Sequence, residues 1–200
     1  IIPYTAEAYA QKKYAFVSDY ARFWILYKYG GIYFDTDVEV ICPIYDIIAH
    51  GNFMGFETDP NPAKGDASVN PGLGLGVAPG LGLMKKMLDY YDGKHFVLET
   101  NASKQITVVD ICTEVLKENG LQLIAGIQKV ADDCYIYPAE YFCPTNLTTG
   151  RIHVKPNTRT IHHYAGSWVD NKYQFKNFIK KLLPEKLIMV FSEWKSKKNK

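Results

Sequence analysis

Two aspartates one residue apart, Asp35 and Asp37, close an apolar run that opens Gly30-Gly31-Ile32-Tyr33-Phe34. Carboxylates so placed repel each other unless something positive lies between them. The usual solution is a hard divalent cation with oxygen ligands. On a strand, alternation puts both acids on one side and Tyr33 with them. An acid pair at the end of a buried strand suits a cation that grips a phosphate. The plainer alternative is a strand end with two solvated acids and a packing tyrosine.

Asp19 and Arg22, with Ser18 beside them, lie three apart on a predicted helix and face the same way. They form either a surface ion pair worth under ~1 kcal/mol or a guanidinium fork for an oxygen-rich ligand. Late in the chain stand His162-His163, Ser167 and Trp168. On a strand the two histidines point opposite ways, so one of them enters a site. Neutral imidazole is a common metal ligand. His162 alternates away from Ile161, which would face the core. Trp168 is a lid or a core aromatic. Gly72, Gly74, Gly76, Gly80 and Gly82 fail the GxGxxG spacing and read as places of close backbone approach. Asp132-Asp133, Asp110 and Glu114 read as solvated acids.

The elements that must position these residues follow from periodicity. Residues 5–29 read as helix, in one or two pieces, because Phe16, Tyr20, Phe23 and Tyr27 recur at three- and four-residue steps. Gly30-Gly31 ends it. Residues 32–41 are expected as one strand, 52–57 as a second, and the polar, proline-bearing stretch 58–70 as a mobile loop. A strand over 73–78, a helix over 81–91, a helix over 107–119, and short strands over 135–138 and 158–164 complete the reading. Alternating helices and strands favour an α/β domain on a mainly parallel or mixed sheet.

An apolar share of 47% in 200 residues supports one ordinary globular core. The net charge of +2 hides an asymmetry: residues 172–200 hold nine lysines and two glutamates, so the remainder carries −5. Basic charge confined to a tail argues against a nucleic-acid-binding face. The tail is amphipathic. Phe175, Phe178, Ile179, Leu182 and Leu183 keep helical spacing among lysines. It reads as a docked helix or as an interfacial helix on anionic lipid. Cys42, Cys112, Cys134 and Cys143 lack metal-binding spacing. A reduced compartment is the simpler reading, with a disulfide pair still open. Two sequons, at Asn101 and Asn146, have meaning only in a secretory protein. No run is long enough to span a bilayer, and no signal peptide is visible.

Taken together, these residues resemble the glycosyltransferases with the DXD sugar-binding motif. That family includes bacterial capsular-polysaccharide transferases, fungal initiating mannosyltransferases and, more distantly, the glucosylating clostridial toxins. The shared pattern is Ser18-Asp19-Tyr20-Ala21-Arg22, a helix, then Gly30-Gly31-Ile32-Tyr33-Phe34-Asp35-Thr36-Asp37. Asn70-Pro71-Gly72-Leu73 and His162-His163-Tyr164-Ala165-Gly166-Ser167-Trp168 are also similar. The resemblance spans most of residues 9–168 and is closest to the bacterial polysaccharide branch.

It implies a GT-A-like single domain over 1–170, with a mixed, mainly parallel central sheet, and a basic helical tail over 171–200. It further implies a retaining, metal-dependent transferase that moves a sugar from a nucleotide-sugar, UDP ahead of GDP, to a glycan or lipid-linked acceptor. In the resemblance Asp35 and Asp37 are catalytic and hold Mn2+ or Mg2+, with His162 completing the metal shell. Ser18, Asp19, Arg22, Tyr33, Asp35, Asn70, Ser167 and Trp168 face the donor. A role in capsule or surface polysaccharide synthesis, in the cytoplasm or on the inner face of the membrane, is the matching expectation. Family members carry a first strand before the Asp19 helix that cradles the base, and no segment here matches it. Two alternatives compete: a haloacid-dehalogenase-type phosphohydrolase with Asp35 as nucleophile, and a non-catalytic sugar- or lipid-binding subunit. The first expects threonine or valine where Glu39 stands and leaves Asp19 and Arg22 unexplained.

Overall fold

The computed structural model describes residues 2–97 and 105–165 together with Ile188. The expected first helix comes in two pieces, α1 (Pro3–Ala10) and α2 (Tyr14–Tyr29). Gly30 ends α2, its N–H bonded to the Leu26 carbonyl at 2.8 Å. Its φ of 65° and ψ of −164° are essentially confined to glycine, and a Cβ there would meet Pro79 at 2.7 Å. Next come β1 (Gly31–Tyr33), β2 (Val38–Val40), α3 (Tyr45–His50), β3 (Asn52–Asn61), β4 (Asp66–Val69) and β5 (Leu75–Val77). The chain continues through α4 (Gly82–Asp89), α5 (Val108–Glu118), β6 (Gln128–Val130), β7 (Cys134–Tyr137), α6 (Ala139–Phe142) and β8 (Thr160–His162).

The main sheet has the order β1-β5-β3-β7-β6, with β4 also paired to β3. This is an α/β fold on a mixed sheet, consistent with the expected GT-A-like single domain. The expected predominance of parallel strands is corrected. Among the described residues only β3 and β7 run parallel, and the other pairings are antiparallel. The reason lies in the connections. β3, β4 and β5 follow one another through turns alone, which suits antiparallel neighbours, whereas a parallel pair needs a long crossover. That crossover exists once, through α4 and α5.

β3 divides the core. Met54 and Phe56 point to one face, where they meet Phe23 and Leu26 of α2, Met84 and Met87 of α4, and Ile111 and Leu116 of α5. Phe53 points to the other face, against Ile47 of α3, Leu73, Tyr137 and Phe142 of α6. The two-residue alternation of a strand thus builds two apolar layers from adjacent side chains. Phe23 of the predicted α2 stripe is fully buried, Tyr20 and Tyr27 pack at the core margin, and Phe16 packs at a tilt against Phe96 with ring centroids 4.9 Å apart.

Two further expectations change. The stretch 58–70 is a β3–β4 hairpin whose ladder is interrupted by register shifts. Pro60 sits in that irregular region, where a missing N–H is tolerated. The single strand expected over 32–41 is two strands with a turn between them. The Asp35 carbonyl accepts the Val38 N–H at 3.1 Å, so the acids occupy a turn rather than a ladder. Aspartate favours such turns. β2 then leaves the main sheet and pairs with β8, setting Val38 opposite His162. α3, β6 and α6 were absent from the sequence reading. The tail 171–200 lies outside the described residues apart from Ile188.

Candidate functional site

Three segments meet where β1 ends. Asp35 is anchored through its backbone N–H, which donates to the Gly72 carbonyl at 2.9 Å. Its carboxylate fills the space that a side chain at residue 72 would need. A Cβ on Gly72 would stand 1.9 Å from Asp35 Oδ2. The Tyr33 hydroxyl donates to Asp35 Oδ1 at 2.8 Å. Burial holds that phenol protonated, raised above its usual range against the pull of Arg22 and with help from Asp35, so it stays a donor.

Asp37 is held from the other side. The β2–β8 register brings His162 across from Val38, and His162 Nε2 comes within 3.3 Å of Asp37 Oδ1 and 3.7 Å of Asp35 Oδ2. The Asp37 carbonyl accepts the His163 N–H at 3.0 Å, and its Oδ2 accepts the Ala165 N–H at 2.8 Å. The buried member of the histidine pair is His162. His163 turns outward to Glu39, 2.9 Å away. Two carboxylates and an imidazole with ligand atoms all within 4.8 Å of one another form a donor set suited to a divalent cation. One detail qualifies the imidazole. Its Nδ1 accepts the Tyr164 N–H at 3.1 Å, so in the neutral ring Nε2 carries the hydrogen and presents it to the acids. Ligation through Nε2 would require that hydrogen to move to Nδ1 and the Tyr164 contact to open.

Arg22 forms the floor. Its guanidinium is buried, donates from Nη2 to Asp19 Oδ1 at 2.6 Å, and lies over the Tyr33 ring at 4.7 Å from the centroid. Nη1 is 3.3 Å from Asp35 Oδ1 but lacks hydrogen-bond geometry to any partner among the described residues. A buried, charged N–H without a partner is costly, and it is the unfilled donor of this site. Burial pushes the Asp19 carboxyl up to about 6, against the pull of Arg22 and with the Asp35 charge adding to it. Burial also pulls Asp35 upward, yet contact with His162, the Arg22 charge and the Tyr33 hydroxyl hold it below the usual carboxylate range.

The structure therefore brings together Asp19, Arg22, Tyr33, Asp35, Asp37 and His162. Ser18 lies one turn above Arg22, with its hydroxyl bonded to the Ala15 carbonyl at 2.7 Å. Asn70 is buried and engaged internally. Its Oδ1 accepts the Gly72 N–H at 2.7 Å and its Nδ2 donates to Glu57 at 2.8 Å. Ser167 and Trp168 lie outside the described residues. Asp132, read as solvated, is exposed but accepts the Leu83 N–H at 2.7 Å, at the start of α4. Asp110 forms a capping box with Thr107. The four cysteines are free. Sequence reasoning missed Glu57, Tyr164 and the role of Gly72. Tyr164 and Gly72 lay inside motifs already singled out, whereas Glu57 carries no local signal.

Residues 2–54 match the family model of the glycosyltransferase sugar-binding region containing DXD motif. The match spans about a quarter of the sequence and takes in Asp19, Arg22, Tyr33 and both DXD acids. Glu57, Asn70, Gly72 and His162 stand outside it and join the motif through the fold. No curated protein and no solved structure gave a match.

Two measurements test this geometry. Gly72→Ala is expected to displace the Asp35 carboxylate and weaken divalent-cation binding at least tenfold, while near-UV circular dichroism stays native. Unchanged affinity would show that Asp35 does not need that space. For Asp19, the folded chain keeps a proton across about pH 4–6 that the unfolded chain has released. Stability therefore falls as pH rises through that window, by about 3 kcal/mol at most. Urea unfolding across it should show this falling component in the wild type and lose it in Asp19→Asn. Parallel pH profiles would contradict the raised carboxyl.

Proposed function

We propose that the protein is a metal-dependent, retaining glycosyltransferase that moves a sugar from a nucleotide-sugar, of the UDP class, to a glycan or lipid-linked saccharide. The observation that carries this reading is the convergence of Asp35, Asp37 and His162 beside the buried guanidinium of Arg22, whose Nη1 is ion-paired with Asp35 but has no hydrogen-bond acceptor among the described residues. In this reading Asp35 and Asp37 hold Mn2+ or Mg2+, and His162 becomes the third ligand once its hydrogen has moved to Nδ1. When bound, the cation neutralises the diphosphate and stabilises it as a leaving group.

The chain's own residues supply the rest. Arg22 offers its free N–H to a sugar hydroxyl, and Asp19, ionised above about pH 6, accepts from another. Tyr33 holds Asp35 in place through a hydroxyl that remains protonated. Asn70 acts through the turn that carries Gly72, since its amide is already bonded on both sides. Both Asp35 oxygens have neighbours, Tyr33 on Oδ1 and His162 beside Oδ2, which disfavours Asp35 as a phosphate nucleophile. The family resemblance and the basic tail support a place in surface polysaccharide synthesis, in the cytoplasm and peripheral to the inner face of the membrane.

A thermal-shift screen of UDP- and GDP-sugars, with and without Mn2+, tests the donor site. UDP-sugars should stabilise the wild type only with the metal, and Asp37→Ala should abolish the shift. Equal shifts in both proteins would overturn the metal assignment. Binding without release of UDP in the presence of acceptor saccharides would favour a non-catalytic sugar-binding subunit. Co-sedimentation with anionic vesicles should weaken as salt rises, because exposed charges are screened. Binding to neutral vesicles alone would count against tail-driven attachment.

A further inference from the structure

Glu57 lies on β3, away from the DXD turn in sequence, yet both acids lead back to it. A single oxygen, Oε1, accepts the Asn70 Nδ2–H at 2.8 Å and the Tyr164 hydroxyl at 2.9 Å. Two arms leave that atom. Along the first, Asn70 Oδ1 takes the Gly72 N–H, and the Gly72 carbonyl takes the Asp35 N–H. Along the second, the Tyr164 ring packs on the His162 imidazole with centroids 4.1 Å apart. The Tyr164 N–H fixes His162 Nδ1, and the next residue, Ala165, donates to Asp37.

We infer that Glu57 is a positioning residue for the cation site, resting on the reading above that Asp35 and Asp37 hold a divalent ion. Its Oε1 ties the turn seating Asp35 to the strap whose Ala165 N–H seats Asp37, while the Tyr164–His162 contact marks the metal-free state and opens when His162 ligates. The second arm has a direction. A carboxylate oxygen only accepts, so the Tyr164 hydroxyl donates to Glu57. The Cys143 sulfur lies 3.1 Å from that hydroxyl oxygen. Glu57 touches neither acid and acts only through Asn70 and Tyr164. The requirement is for an acceptor oxygen rather than for a charge.

That requirement separates a positioning role from general support. The full chain is compared as wild type, Glu57→Gln, Glu57→Leu and Tyr164→Phe. Mn2+ affinity is read by electron paramagnetic resonance of the free ion. The His162 tautomer is read without metal from imidazole nitrogen shifts, and native packing from near-UV circular dichroism. Glu57→Gln keeps an acceptor and should match the wild type in both readouts. Glu57→Leu should bind Mn2+ about tenfold to a hundredfold more weakly and lose the single Nε2–H signature. Tyr164→Phe keeps the ring but cuts one arm, and should show a smaller loss even if Glu57→Leu fails to fold. Wild-type affinity and tautomer in both Glu57→Leu and Tyr164→Phe would overturn the inference, as would a Glu57→Gln as impaired as Glu57→Leu. If the wild type binds no Mn2+ the cation reading fails, and the His162 spectra alone decide the role of Glu57.

Discussion

Two carboxylates a few ångströms apart in a half-buried turn repel, and their repulsion grows as water is removed. The chain balances this with donors from three directions. Arg22 rises from α2 beneath Asp35, Tyr33 donates from the end of β1, and His162 with the Ala165 N–H closes over Asp37. Each donor sits on an element fixed by its own packing, so the acids are held by the fold and not only by each other.

The balance leaves marks on the groups around it. Asp19 has its cation at 2.6 Å and still finds ionisation harder than in water, because burial outweighs the pair. Arg22 must serve two acids and retains an N–H directed at neither. A structural ion pair would gain from closing that gap with a further protein acceptor. Here it stays unfilled among the described residues.

Much of this was legible from residue types. The spacing of Asp19 and Arg22, the glycine pair after the helix, and the alternation that put His162 inward and His163 outward all carried over to the structure. What failed depended on partners far away in sequence. A strand was expected through Asp35 and Asp37 because the apolar pattern does not announce that β2 will abandon the main sheet for β8. A loop was expected over 58–70 because two prolines and several polar residues look the same in a loop and in an irregular edge hairpin. The sheet was expected to be mainly parallel because helices alternate with strands, but turn-linked β3, β4 and β5 broke that rule. Glu57 escaped notice because its importance comes from two hydrogen bonds made by residues 13 and 107 positions away.

The pairing of β2 with β8 has a consequence for how the protein comes into being. Asp37 and the N–H of Ala165 that grips it lie 128 positions apart. A growing polypeptide releases its acid turn from the ribosome long before the segment that neutralises it has been translated. Contacts of such long range form late, after the entropy of closing the loop has been met. β8 therefore acts as a completion signal: a nascent or truncated chain that stops short of Thr160 would display the motif without its imidazole, and the pocket assembles only once that strand has been made.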